Sequence, residues 1–98
     1  MAPNTSTEDS LIEGIVTSPS RNFNNQSRFE IEPLLIRTRP GPGAQPSSLG
    51  TYIIDFSGKD FSVQRGSRVT LYFSEGQSDP SKIDVHNANG TRQEYPLN

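Results

Sequence analysis

Along this chain apolar and polar residues alternate with a period of two, in short runs separated by clusters of Gly, Pro, Asn and Ser. That spacing predicts half-buried β-strands, because successive side chains on a strand point to opposite faces. Arg68 to Ser74 alternates most cleanly, with Val69, Leu71 and Phe73 on one face and Arg68, Thr70 and Tyr72 on the other. Thr51 to Phe56 places Tyr52, Ile54 and Phe56 together and Ile53 opposite, and Lys82 to Asn87 carries Ile83 and Val85 inward. Leu11 to Thr17 has apolar residues on both sides, with Gly14 marking a bulge or a close approach of backbone. Arg28 to Arg37 alternates through Phe29 and Ile31 until Pro33, after which Leu34-Leu35-Ile36 breaks the pattern; a proline there argues for an edge or a bulge.

The segments between these runs read as turns and loops. Residues 18–27 are turn chemistry interrupted by Phe23, and are expected to form a hairpin loop. Residues 39–50 hold three Pro and three Gly and are expected to be a long mobile loop, neither helix nor paired strand. Phe61-Ser62-Val63 is a short apolar plug between the turns at residues 57–60 and 64–67, and residues 75–81 form a polar loop. Asn89-Gly90 is the best short hairpin signal, with Thr91 to Tyr95 returning as a sixth strand. No stretch carries helical spacing over two turns. The reading is an all-β chain of five or six short strands, a small barrel with a two-sheet sandwich as the alternative. Residues 1–10 are a disordered lead-in and residues 11–95 one domain.

Composition narrows the chemistry. Leu, Ile, Val and Phe supply only 22 of the 98 residues, so the core is small and a deep catalytic cleft is hard to support. The absence of cysteine excludes disulfides, a thiol nucleophile and cysteine-ligated metals. No apolar run approaches a membrane span and the first ten residues lack a secretory pattern, so a soluble, cytoplasmic chain without membrane partners is expected. The net charge of −2 denies the molecule an overall attraction for nucleic acid. The cations are mostly arginine, however, and residues 36–72 hold five basic residues (Arg37, Arg39, Lys59, Arg65, Arg68) against two acidic ones.

The order of elements resembles the small OB-fold barrels. The resemblance rests on a first strand with a glycine (Ile12-Glu13-Gly14-Ile15-Val16) and a long bent second strand. It rests also on the phrase Val63-Gln64-Arg65-Gly66-Ser67-Arg68-Val69-Thr70-Leu71 leading into the fourth strand, and on Ile83-Asp84-Val85 ahead of the Asn-Gly turn. It covers residues 11–95. The segment between strands three and four is too short for the helix that often plugs such barrels, a place Phe61 and Val63 could fill. The resemblance implies ligand binding across strands two and three and their flanking loops, where aromatic platforms stack bases and cations follow phosphates. Carried over, those roles fall on Arg21 and Phe23 in the first loop, Arg28 and Arg37 on strand two, Arg39 after it and Tyr52 on strand three, with Arg68 and Tyr72 extending the face. Each has a purely structural counterpart: Phe23 pinning a loop, Tyr52 in the core with its hydroxyl at the rim, Tyr72 in a surface cross-strand pair.

Catalysis and metal binding find little support. His86 is the only histidine, and with Asp84 on the same strand face it makes neither a zinc site nor a nucleophile system. Gly41-Pro42-Gly43 lacks the lysine and helix of a phosphate loop, and Glu30 and Glu32 beside Arg28 are expected to form surface ion pairs. The expected function is therefore a non-catalytic module, without cofactors, for single-stranded nucleic acid or another anionic polymer. The alternative is a protein-interaction or accessory β-domain of a larger protein or complex.

Overall fold

The computed structural model describes residues 10–37, 43–57, 61–73 and 80–97. These contain seven antiparallel strands and no helix: β1 Leu11–Phe23, β2 Gln26–Ile36, β3 Ala44–Pro46, β4 Tyr52–Ser57, β5 Arg68–Tyr72, β6 Lys82–His86 and β7 Arg92–Pro96. They form one sheet in the order β3-β4-β2-β1-β5-β6-β7. The expected disorder of residues 1–10 falls, Ser10 apart, outside the described residues, as do Arg39 and the turn at 58–60, and most of the loop at 75–81.

The first hairpin is longer than its sequence suggests. The residues expected as an open loop continue both strands, and only Asn24 and Asn25 remain as the connection, at φ 52° and 62°. Two consecutive positive φ values match the twist of a tight two-residue hairpin turn, and asparagine tolerates them better than other residues with a side chain. Register shifts at Glu13/Gly14, Val16/Ser18 and Ser18/Arg21 bend the ladder. At the first of these a side chain could not fit: a Cβ on Gly14 would stand 2.5 Å from the Glu32 carbonyl oxygen and 3.1 Å from Ile31 Cδ1. Gly14 thus serves the close approach expected of it, opposite Pro33.

Two further expectations are corrected. The proline-rich stretch does contain a paired strand, since Ala44, Gln45 and Pro46 face Ile54, Ile53 and Tyr52. It is a sheet edge, and an edge strand can hold a proline because its outer side needs no donor. The strand begun at Arg68 stops at Tyr72, where Phe73 N still donates to Ser10 O at 2.9 Å. The last hairpin follows its signal, closing with Asn87 N donating to Thr91 O at 2.8 Å and Gly90 at φ 89°.

The core is built from alternate residues on β1, β2, β4, β5 and β6: Ile12 and Val16, Phe29 and Ile31, Ile54 and Phe56, Val69 and Leu71, and Ile83. Phe61 and Val63 are buried with them, filling the place expected of the apolar plug. Their segment is tied to the second half of β1, with Ser20 N donating to Val63 O at 3.2 Å and Gly66 N to Val16 O at 2.8 Å. The Phe61 ring lies 5.4 Å from Phe29, 5.6 Å from Phe56 and 5.0 Å from Tyr95. Because β4 and β7 stand near opposite ends of the strand order, one side chain touching both means the sheet curls over it. Hydrogen bonding does not complete the circle among the described residues, so the expected closed barrel is here a curled open sheet of seven strands rather than five or six.

Candidate functional site

The face turned away from the core carries the polar chemistry. Cross-strand register aligns Ile15, Arg68, His86 and Arg92 in one row, Glu13, Thr70, Asp84 and Glu94 in the next, and Leu11, Tyr72 and Lys82 in a third. Thr70 and Asp84, in the middle of this face, are nevertheless buried, standing between longer neighbours. Thr70 Oγ1 lies 2.9 Å from His86 Nε2, so His86 is a half-buried, hydrogen-bonded residue and not a free surface imidazole. Asp84 Oδ2 is 3.5 Å from Arg92, while its Oδ1 is buried without a hydrogen-bond partner among the described residues.

Tyr72 titrates above the ordinary tyrosine range. Burial raises its pKa above the ordinary 10.0, the negative charge of Asp84 raises it further, and Lys82, whose Nζ sits 4.6 Å above the ring centroid, pulls it back in part. Neutral phenol against a cation is a stable pairing at physiological pH.

The residues singled out from the sequence do not form one cluster. Arg21 and Arg28 are opposite each other near the tip of the first hairpin. Arg28 is held by Asp55 at 2.7 Å and not by Glu30 or Glu32, as its neighbours in sequence had implied; Glu30 instead accepts from Thr51 Oγ1 at 3.1 Å. Arg68 pairs with Glu13 on the outer face, and Tyr72 lies two positions further along the same strand. Tyr52 faces the other way and packs against the core, the structural role weighed for it. Arg37 follows β2 at the opposite end of the sheet, its amide donating to Leu11 O at 2.8 Å. Phe23 ends β1, opposite Gln26.

Two depressions bring some of these residues together with others not singled out. Arg65, Gly66, Ser67, Arg68, His86 and Asn87 line an open depression of about 540 Å³. A smaller one of about 250 Å³ lies by Ser18, Pro19, Arg21, Arg28 and Glu30. Arg65 Nε donates to Thr17 O at 3.4 Å, which sets that guanidinium beside the second half of β1, on the way to Arg21. Among the described residues Arg21, Arg37 and Arg65 have no carboxylate partner, whereas Arg28, Arg68, Lys82 and Arg92 each have one; of the three, Arg21 and Arg65 stand at the depressions. His86 and Arg92 could have been placed side by side from the sequence, by counting back and forward from the Asn-Gly turn. Arg65 could not, because its position depends on the loop docking on β1.

No group of three or more potential metal ligands exists among the described residues, and no helix there is long and apolar enough to cross a membrane. Compared with known proteins, the chain matches no family model, no curated protein and no solved structure, so the site is read from its own geometry.

Proposed function

We propose that this chain is an OB-like, non-catalytic module that holds a single-stranded nucleic acid or a similar anionic polymer along the outer side of β1 and β5. The observation that carries the reading is that Arg65 and Arg21, which like Arg37 have no carboxylate partner among the described residues, each stand at an open depression and both lie along the second half of β1. Thr17 to Arg21 spans about 13 Å of extended strand, a distance suited to a chain of phosphates rather than to one isolated anion. Arginine suits the purpose because its planar fork matches phosphate oxygens and stacks on bases. The arrangement of β2 between β1 and β4, with β5 on the far side of β1, supports the OB-like comparison. Tyr72 offers a ring on the same face, at present shared with Lys82.

Binding is confined to low ionic strength, because the net charge of −2 supplies no long-range attraction. A labelled mixed-sequence oligonucleotide titrated by fluorescence anisotropy tests this. Each phosphate contact removed should flatten the slope of log affinity against log salt by about 0.7. Arg21→Ala combined with Arg65→Ala should therefore lower it by roughly twice that amount, while Arg37→Ala leaves it unchanged. A folded protein that binds nothing even at low salt would overturn the reading, as would equal effects from Arg37 and Arg65.

A further inference from the structure

The larger depression lies at one end of the sheet, where β5 begins at Arg68 and β6 ends at His86, and its far wall is the turn that starts at Asn87. That wall uses its own donors. Asn87 N donates to Thr91 O at 2.8 Å, Asn87 Nδ2 to Thr91 Oγ1 at 3.0 Å and Gly90 N to Asn87 O at 3.1 Å. A strand of phosphates following Arg21 and Arg65 along β1 thus reaches a group of cations backed by a closed turn.

The charges around His86 select the anion. In the cross-strand register His86 faces Arg68 on β5 and Arg92 on β7, and Arg65 joins them from the turn before β5. The carboxylates nearby are Glu13 on β1, bound to Arg68, and Asp84 on β6, 3.5 Å from Arg92; Glu94 is taken by Lys82 at 3.8 Å. Glu13 and Asp84 are 17% and 4% exposed where their arginines are 54% and 56%, so each guanidinium is held at its inner side and keeps outward N–H groups for a ligand. Three guanidiniums against two carboxylates leave one positive charge in excess, and protonation of His86 makes it two. The Thr70 contact suits both states, because a hydroxyl donates to a neutral imidazole nitrogen and accepts from a protonated one. On its own that second charge stands between two arginines and is opposed; a bound anion removes the opposition.

A phosphodiester carries one negative charge, whereas a phosphate monoester carries about 1.5 to 2 at neutral pH. We infer that this depression binds a phosphate monoester, the terminal phosphate of a strand, and that His86 takes up a proton as it does so. The inference rests on the reading of β1 and β5 as the path of an anionic polymer. Linkage makes proton and phosphate assist each other, so affinity for the monoester falls as pH rises through the range in which imidazole loses its charge. Raising the pH completes the ionisation of the phosphate itself, so a fall in affinity reports the imidazole.

Fluorescence anisotropy at low salt tests this with one internally labelled oligonucleotide, phosphorylated at one end, at the other or at neither. At about pH 6.5 one phosphorylated form should bind about tenfold tighter than the unphosphorylated strand, and by about pH 8.5 the advantage should shrink to roughly threefold. His86→Gln should show the smaller advantage at both pH values, and Arg21→Ala should weaken all three strands alike. Inorganic phosphate should compete away the advantage and leave the rest of the binding. Equal affinity for the three strands would overturn the inference and leave the polymer path standing. An advantage that does not fall with pH, or that falls equally in His86→Gln, would overturn it too. Should no strand bind, the polymer path fails; amide shifts at Arg65, Arg68 and His86 on adding inorganic phosphate, weakening as pH rises, would then assign the site to a free phosphate, and their absence would overturn the inference as well.

Discussion

Tyr72 and Gly14 illustrate how single positions on this sheet are constrained. Tyr72 is raised by burial and by the charge of Asp84, so its neutral form is favoured in the folded state. A raised folded pKa means that this contribution to stability is fully present below pH 10 and is lost as pH rises through the displaced value. In an ultraviolet titration the phenolate step that disappears in Tyr72→Phe should lie above pH 10 in the wild type and move to lower pH in Asp84→Asn. If Asp84→Asn left that step in place, Asp84 would not be the neighbour that matters. At Gly14 the obstacle is backbone: the Glu32 carbonyl cannot withdraw from a new Cβ without opening the β1–β2 ladder. Gly14→Ala should therefore cost about 1–3 kcal/mol in chemical denaturation, an overpacking penalty that a mid-strand glycine in open space would not show. An unchanged midpoint would contradict the close approach.

The strands differ in how far their sequence announces them. β5 and β6 were legible because one face is buried and the other polar, so the period of two is intact in Arg68–Tyr72 and Lys82–His86. β1 and β2 were only half legible: Ser18 to Asn22 and Gln26, Ser27 show no apolar alternation, and what orders them is pairing across the hairpin together with docking of residues 61–67, which no local pattern encodes. β3 was missed because Ala44–Pro46 has nothing strand-like in it and owes its pairing to β4 alone. The candidate site shows the same division. Arg28 and Arg68 are legible as cations on strands, Arg21 is expected on a loop that in the structure continues the strand, Arg65 gains its place from tertiary docking, and Tyr52 takes the core role that is its alternative. The Asn24-Asn25 turn permits a direct check on the first hairpin. Asn25→Val forces a β-branched residue into the left-handed region and should destabilise by about 1–2 kcal/mol, whereas Asn25→Gly should be neutral or favourable. Equal urea midpoints for the two variants would argue against a two-residue turn.

For the molecule as a whole, closure depends on packing rather than on hydrogen bonds. Phe61 joins β2 and β4 to Tyr95 on β7, so its removal should loosen both ends of the sheet together. Phe61→Ala is expected to cost about 3–5 kcal/mol and Leu71→Ala about 2–5 kcal/mol. In a domain whose entire stability is about 5–15 kcal/mol, either approaches global unfolding. Native-state amide exchange in Phe61→Ala should quicken in β4 and β7 alike; acceleration confined to β4 would mean that the two ends are not coupled through that ring.

On the outer side of the curled sheet Arg21 and Arg65 stand at open depressions without acidic partners among the described residues. The most direct test is to map amide chemical shifts of the isotopically labelled protein on adding a short single-stranded oligonucleotide at low salt. The account expects a continuous trail of perturbed amides from Arg21 through Thr17 to Arg65, Arg68 and His86, fading as salt is raised. Perturbations absent from that trail, or concentrated instead at Ala44–Pro46 and Tyr52, would contradict it.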